Sequence, residues 1–224
     1  MTTAQQLSIL IPAAYLLGSV PFGLIIGLWK GIDPRKAGSG NIGATNVGRL
    51  LGGRFFALVF GLDCLKGMIP TLAASWVVAK GGAQNWPDYL LWLAVGFAAI
   101  LGHMFSIFLK LKGGKGVATS AGVMFGVFPD YTLAAGIILL LFLACFFLTR
   151  IVSLSSMLGA GAFPVVYTGL ALLRGQQVLG QRWPLLAFAI LVGVMVIWKH
   201  RGNIKRLRAG TEPRFVKKQT AETV

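Results

Sequence analysis

Apolar residues in this chain come in long unbroken stretches, not in the alternation of half-buried elements. A helix that crosses a bilayer needs about 20 mostly apolar residues. Stretches of that kind cover Leu7–Trp29, Phe55–Ala79, Tyr89–Leu109, Tyr131–Leu148, Leu154–Leu173 and Trp183–Trp198. Between the third and fourth lies Val117–Phe128, which is apolar and Gly-rich but only about 12 residues long, short for a full crossing. It follows directly on Gly113-Gly114-Lys115-Gly116 and reads as a short or broken span.

Charge decides whether the short span counts. Positive residues cluster in Lys30–Arg54, in Lys110–Lys115 and in Lys199–Lys218, whereas the loops near Gly81–Asp88, Pro129–Asp130 and Arg174–Arg182 are poorer in them. If Val117–Phe128 crosses, all three clusters fall on one side, which the positive-inside rule makes cytoplasmic. The expectation is an all-α integral membrane protein with seven transmembrane helices, one of them short or broken. Its N-terminus is outside and its C-terminus cytoplasmic. Residues 1–224 form a single transmembrane domain with a basic cytoplasmic tail over 199–224. Met1–Gln6 has no positive charge and so lacks the start of a cleavable signal. The first apolar run is therefore expected to stay as a span.

Composition agrees with this reading. Of 224 residues, 56% are hydrophobic and 12% charged, with a mean hydropathy of +0.76. Soluble domains carry about 25% charged residues, and a disordered chain would be far less apolar. The formal charge of +15 would suggest nucleic acid in a soluble protein. In a membrane protein it suggests anionic lipids or anionic substrates, and no nucleic-acid partner is expected. The two cysteines, Cys64 and Cys145, lie in apolar stretches, and only two histidines are present, so neither a structural disulfide nor a metal site is expected.

Polar, Gly-rich sequence gathers on the basic side in three segments. The first, Gly38 to Arg49, contains Gly38-x-Gly40-x-x-Gly43 but follows a membrane helix, not a strand, so it is no dinucleotide fingerprint. Its glycines still let backbone N–H groups approach a phosphate near a helix N-terminus. The plainer reading is a flexible loop with a helix cap at Ser39, Asn41 or Thr45. The second segment joins Gly102-His103 to Gly113-Gly114-Lys115-Gly116-Val117-Ala118-Thr119. Lys115 is followed by Gly116 and not by Ser or Thr, so this is not a nucleotide P-loop. A Gly-rich turn opening a helix with one Lys can nonetheless cradle phosphate, the alternative being a tight turn with a snorkelling Lys. His103 sits at an apolar helix end, where a structural role is the simpler expectation. In the third segment, His200 to Arg214, a polybasic tail held by lipid would explain the charge. It would not explain His200 and Asn203, three residues apart on one helical face.

Asp63 and Lys66 lie inside the second span. Such charges are functional candidates, but at i, i+3 they can neutralise each other, and a structural pair is expected. Asp33, Glu212 and Glu222 are the acids of the basic face. Arg, Lys, Ser, Thr, Asn and flexible Gly suit recognition of phosphate, not a carboxylate metal site or dyad. The residues alone leave three readings: an enzyme of phosphorylated molecules, a transporter of phosphorylated anions, or a non-catalytic protein that binds anionic lipid.

The chain resembles the bacterial acyl-phosphate:glycerol-3-phosphate acyltransferases. The resemblance runs from Gly18-Ser19-Val20-Pro21-Phe22-Gly23 through Ser39–Arg49 and Asp63-x-x-Lys66-Gly67. It continues through Gly102-His103 and Gly113–Thr119 to His200-Arg201-x-Asn203-Ile204 and Gly210-Thr211-Glu212-Pro213. It implies transfer of a long-chain acyl group from acyl phosphate to the 1-hydroxyl of sn-glycerol 3-phosphate. The products would be lysophosphatidate and inorganic phosphate, made without cofactor, metal or acyl-enzyme, in the bacterial cytoplasmic membrane. By motif matching, Ser39, Arg49, Lys115, His200 and Asn203 form the catalytic site. Gly40, Asn41, Thr45, Asn46, Gly113, Gly114 and Gly116 bind substrate phosphate, and Glu212 supports the tail. The expected partners are the two substrates and membrane lipids, with a monomer favoured.

Overall fold

The computed structural model describes residues 1–81 and 85–215. Residues 82–84 of one charge-poor loop, and 216–224 of the basic tail with Lys217, Lys218 and Glu222, lie outside the described residues. Among the described residues the fold is all helical: α1 (Thr3–Ser19), α2 (Phe22–Trp29), α3 (Ala44–Leu51), α4 (Gly53–Gly81), α5 (Trp86–Met104), α6 (Val117–Gly126), α7 (Thr132–Thr149), α8 (Val152–Leu173), α9 (Trp183–Lys199) and α10 (Arg201–Arg208).

The apolar stretches became helices because a backbone in lipid must satisfy its hydrogen bonds within itself. Five stretches are long and apolar enough to cross: Thr3–Trp29, Gly53–Gly81, Trp86–Leu109, Thr132–Thr149 and Val152–Leu173. α9 together with α10 makes a sixth, bent by 57° between them. α6 has only 10 residues, as its sequence suggested. The first stretch is broken at Val20–Pro21, because Pro21 has no N–H to continue the helix. The Lys66 ammonium donates to the Val20 carbonyl freed by that break, at 2.8 Å.

α6 lies along α4, and Gly122 permits it: a Cβ there would stand 1.9 Å from the Cys64 carbonyl oxygen. Small residues at such crossings let backbones approach in lipid, where burial of apolar side chains gives little drive. At one end of the bundle Asp130, before α7, pairs with Arg182, before α9. Tyr131 below them is fully buried, donates to the Leu185 carbonyl, and packs edge-on against Phe163 and Tyr167 with ring centroids 5.0 Å away in each case. At the opposite end lie the 30–43 loop, α3, the 105–116 turn and α10.

Candidate active site

At that second end four helices begin around one polar chamber. Its wall includes Gly43, Ala44 and Thr45 from the start of α3, Gly116, Val117 and Ala118 from α6, Val152 and Ser153 from α8, and His200 and Asn203 from α10. None of these four starts has a side-chain cap, whereas Thr2 caps α1 and Asn85 caps α5. Uncapped first turns leave backbone N–H groups free, and each carries the positive end of a helix dipole. The first turns of α3, α6 and α8 at one space favour an anion there before any side chain is considered, while α10 runs along the wall with His200, Asn203 and Arg206.

The loop before α3 is fastened by Asn46, which is buried. Its Nδ2 donates to the carbonyls of Pro34 and Asn41 at 2.9 Å and of Ala37 at 3.1 Å, and its Oδ1 accepts from the Ser39 N–H at 2.8 Å. With those bonds made, Asn46 shapes the cradle and has no polar atom left for a ligand. The helix cap is Gly43, not Ser39, Asn41 or Thr45. The Asn41 side chain instead accepts from the Gly43 N–H, an Asx-turn leading into α3. Replacing Asn46 with Ala is expected to cost about 2–4 kcal/mol, since three carbonyls and one N–H lose their partner. Thermal unfolding would show the loss, and the KM of a phosphate substrate should rise with it.

Ser39 and Arg49 line the chamber. Arg49 donates through Nη2 to the Pro213 carbonyl at 2.8 Å, which leaves its buried Nε without a partner among the described residues. Its guanidinium, at the wall of a polar chamber, suits an oxyanion.

Lys115 comes from the turn before α6. His103 decides that turn's shape: the Gly114 N–H donates to the His103 carbonyl at 3.0 Å, and the Gly113 N–H to Met104 at 3.2 Å. A Cβ on Gly114 would stand 2.2 Å from the His103 Nε2, so only Gly fits against the ring. Gly116 turns the chain at a positive φ of 85° into α6. Gly116 lines the chamber, whereas Gly40, Gly113 and Gly114 are not among its lining residues.

The Lys115 ammonium donates to the Asn203 Oδ1. The Asn203 Nδ2 donates to Glu212 Oε1 at 2.6 Å, which also accepts from Ser153 at 2.7 Å, while Arg206 Nε donates to Oε2 at 2.8 Å. Burial works to raise the Glu212 carboxyl, but the bonds from Ser153, Asn203 and Arg206 outweigh it and hold the acid below its ordinary range. Burial lowers the Lys115 ammonium to about 8, and the Glu212 carboxylate only partly offsets this against the charges of Arg206 and Arg49. His200 places Nδ1 2.7 Å from the Val196 carbonyl. A carbonyl only accepts, so Nδ1 carries the proton and Nε2 keeps a lone pair.

The structure thus brings Ser39, Asn41, Thr45, Asn46, Arg49, Lys115, Gly116, His200 and Asn203 to one wall. It adds Ser153, Arg206, Glu212, Asp63 and His103, which the sequence reading had given structural roles or passed over. Ser153 and Ser156 sit at i, i+3 at the start of an apolar helix, and that spacing was the available signal. Beside the polar chamber lies an apolar one between α6, α7, α8 and α9, and Phe60, Val117, Phe142 and Ser156 line both. With their open mouths the two enclose about 790 and 740 Å³.

Residues 8–210 match the glycerol-3-phosphate acyltransferase family. Among named relatives, the glycerol-3-phosphate acyltransferase of Geobacter sulfurreducens is 45% identical over 92% of this chain and 96% of its own. That of Aquifex aeolicus is 43% identical over 92% and 97%. The fold is similar to that of PlsY (YgiH), an integral membrane glycerol 3-phosphate acyltransferase, in crystal structures of two forms. The glycerol 3-phosphate form gives a TM-score of 0.78 at 41% identity, covering 94% of this chain and 96% of that one. The lysophosphatidic acid form gives 0.77 at 40% over the same shares. An all-helical membrane chain with uncapped helix starts on a basic chamber, matched over nearly its whole length, belongs to the glycerol-3-phosphate acyltransferase family.

Proposed function

We propose that this protein transfers a long-chain acyl group from acyl phosphate to the 1-hydroxyl of glycerol 3-phosphate. One observation carries the reading: a cationic chamber at the helix starts lies directly beside an apolar chamber, with Phe60, Val117, Phe142 and Ser156 lining both. A donor with a phosphate head and an alkyl tail fits across that shared lining, and glycerol 3-phosphate fits within the polar part. Arg49, Lys115 and the backbone N–H groups at the starts of α3, α6 and α8 offset the repulsion between two phosphates. Ser39, Thr45 and Gly116 orient them. The 1-hydroxyl oxygen bonds to the acyl carbon, the carbon–oxygen bond to phosphate breaks, and lysophosphatidate and inorganic phosphate leave. The donor is already activated, so positioning supplies much of the rate and no acyl-enzyme is needed.

The hydroxyl proton passes to a substrate phosphate, whose second pKa lies near 6. His200 is a hydrogen-bonding ligand that helps to orient the substrates, and not the base. Residues 1–224 work as one transmembrane unit, a monomer with seven crossings. α6 counts as the fourth, which is supported by α7 starting at the end of the bundle where Asp130 meets Arg182. All three basic clusters then lie with the chamber on the cytoplasmic side of the inner membrane, facing anionic lipid.

Lys115 predicts the pH profile. It is charged below about 8 and neutral above. The kcat/KM for glycerol 3-phosphate, which reports the free enzyme, should fall about tenfold per unit above that pH. The kcat should hold to higher pH, because bound phosphate stabilises the ammonium. A kcat/KM that stays flat through pH 9.5 would contradict the role of Lys115.

The reaction is tested with purified protein, labelled glycerol 3-phosphate and a chelator, giving palmitoyl phosphate in one vessel and palmitoyl-CoA in another. Lysophosphatidate is expected from the acyl phosphate alone. Product from the thioester alone, or from neither donor, would overturn the proposal.

A further inference from the structure

Three charged or titratable groups deep in the bundle have no place in the reaction as described. Asp63 and Lys66 on α4, both 2% exposed, form an ion pair at 2.8 Å, and His103 on α5, 4% exposed, brings Nδ1 to 3.6 Å from the same Asp63 oxygen. Lys66 is anchored to the Val20 carbonyl, so the carboxylate is held in place from behind. Asp63 and His103 both line the polar chamber. A carboxylate facing Nδ1 selects the tautomer with its proton there, which leaves the His103 Nε2 as an acceptor. The His103 Nδ1 is buried without a hydrogen bond, and closing the gap to ~3.0 Å would make one.

Few acceptors remain in this chamber once the Ser39 and Thr45 hydroxyls are given to phosphate. Both oxygens of Glu212 are engaged, Asn203 Oδ1 holds Lys115, and the Oδ1 atoms of Asn46 and Asn41 hold the backbone of their own loop. Two imidazoles, each with Nδ1 turned to an acceptor behind it, keep a free Nε2. Glycerol 3-phosphate brings two hydroxyls, and each must donate to something when water is stripped from it.

The positions divide the task. Val196, whose carbonyl holds His200, also lines the apolar chamber, so His200 stands where the acyl carbonyl and the 1-hydroxyl meet. No residue of α5 lines the apolar chamber, so His103 is removed from that junction. We propose that His103 binds the substrate directly: its Nε2 accepts the 2-hydroxyl of glycerol 3-phosphate, with Asp63 and Lys66 as positioning residues behind it. The proposal rests on the reading of the chamber as the acyltransferase site.

The test compares glycerol 3-phosphate with 1,3-propanediol monophosphate, which keeps the reacting hydroxyl and the phosphate but lacks the 2-hydroxyl. A site that binds a hydroxyl discriminates strongly against the analogue without it. Wild type should favour glycerol 3-phosphate by ~100-fold or more in kcat/KM. His103→Asn places an amide where Nδ1 stood and removes the Nε2 end. It should bring the preference to within ~10-fold, with the KM for palmitoyl phosphate changed by less than about twofold. His103→Gln reaches the Nε2 position and should keep more of the preference than His103→Asn.

If His103 only braces Gly114, His103→Asn will slow both phosphates by the same factor, and that result overturns the proposal. Wild type that does not distinguish the two phosphates overturns it as well, whether or not the variants fold. Wild type inactive on glycerol 3-phosphate with acyl phosphate would instead remove the reading on which the proposal rests.

Discussion

Replacing Lys115 with Met is expected to lower kcat/KM by about 10³-fold or more while the protein stays folded. Removing one donor aimed at a developing oxyanion costs ~10²–10³ in kcat in a water-excluded site. Lys115 does more than donate, because it also offsets the repulsion between two substrate phosphates. The fold should not suffer. Burial already works against the ammonium, bringing it down to about 8, so an apolar side chain of similar length removes a desolvation cost. What is lost is the bond to Asn203, which leaves that Oδ1 free. The checks are steady-state kinetics with both substrates and thermal unfolding in the same detergent. A variant within tenfold of wild type would remove Lys115 from the site's working parts.

The second large effect belongs to Glu212, and it should appear as stability. Its carboxylate accepts from α8 through Ser153 and from α10 through Asn203 and Arg206, and Arg49 on α3 holds the next residue's carbonyl. Glu212→Ala leaves Arg206 and Asn203 without their partner and frees the 209–215 segment from α8. Breaking a buried, hydrogen-bonded charge pair costs about 3–5 kcal/mol. Because Arg206 stays partly exposed, the lower part of that range applies. The expected result is a clearly lower unfolding temperature together with lost activity, because Asn203 also holds Lys115. Glu212→Gln keeps one acceptor oxygen and should recover part of both. Unchanged unfolding temperature in Glu212→Ala would contradict the role as a fastener.

How much of this was legible in the chain depends on what each feature needs. The spans were readable because lipid imposes one rule on every residue in them, and the stretch boundaries fall within a few residues of the observed helices. The break at Val20–Pro21 was written in the proline, but inside an unbroken apolar run it carried no other mark. The short α6 was visible as a shortfall in length. His200 and Asn203 could be paired from helical spacing alone, and both reach the chamber. Asn46 could not be sorted from Ser39 or Thr45, since an amide that fastens a loop and one that holds a phosphate look alike in sequence. Nor could the convergence of the helix starts be read, because it depends on tertiary packing. The same holds for Asp63 and His103: the sequence shows an ion-pair spacing within α4 but not that α5 brings an imidazole to it.

The central claim is direct transfer between two phosphate-bearing substrates held together. It is tested by following phosphate release from palmitoyl phosphate in a rapid-quench experiment at enzyme concentrations comparable to substrate. With palmitoyl phosphate alone no burst of inorganic phosphate is expected. On adding glycerol 3-phosphate, phosphate and lysophosphatidate should appear together, one for one. A stoichiometric burst of phosphate before glycerol 3-phosphate is added would mean that the acyl group had moved to the protein, and would contradict the account.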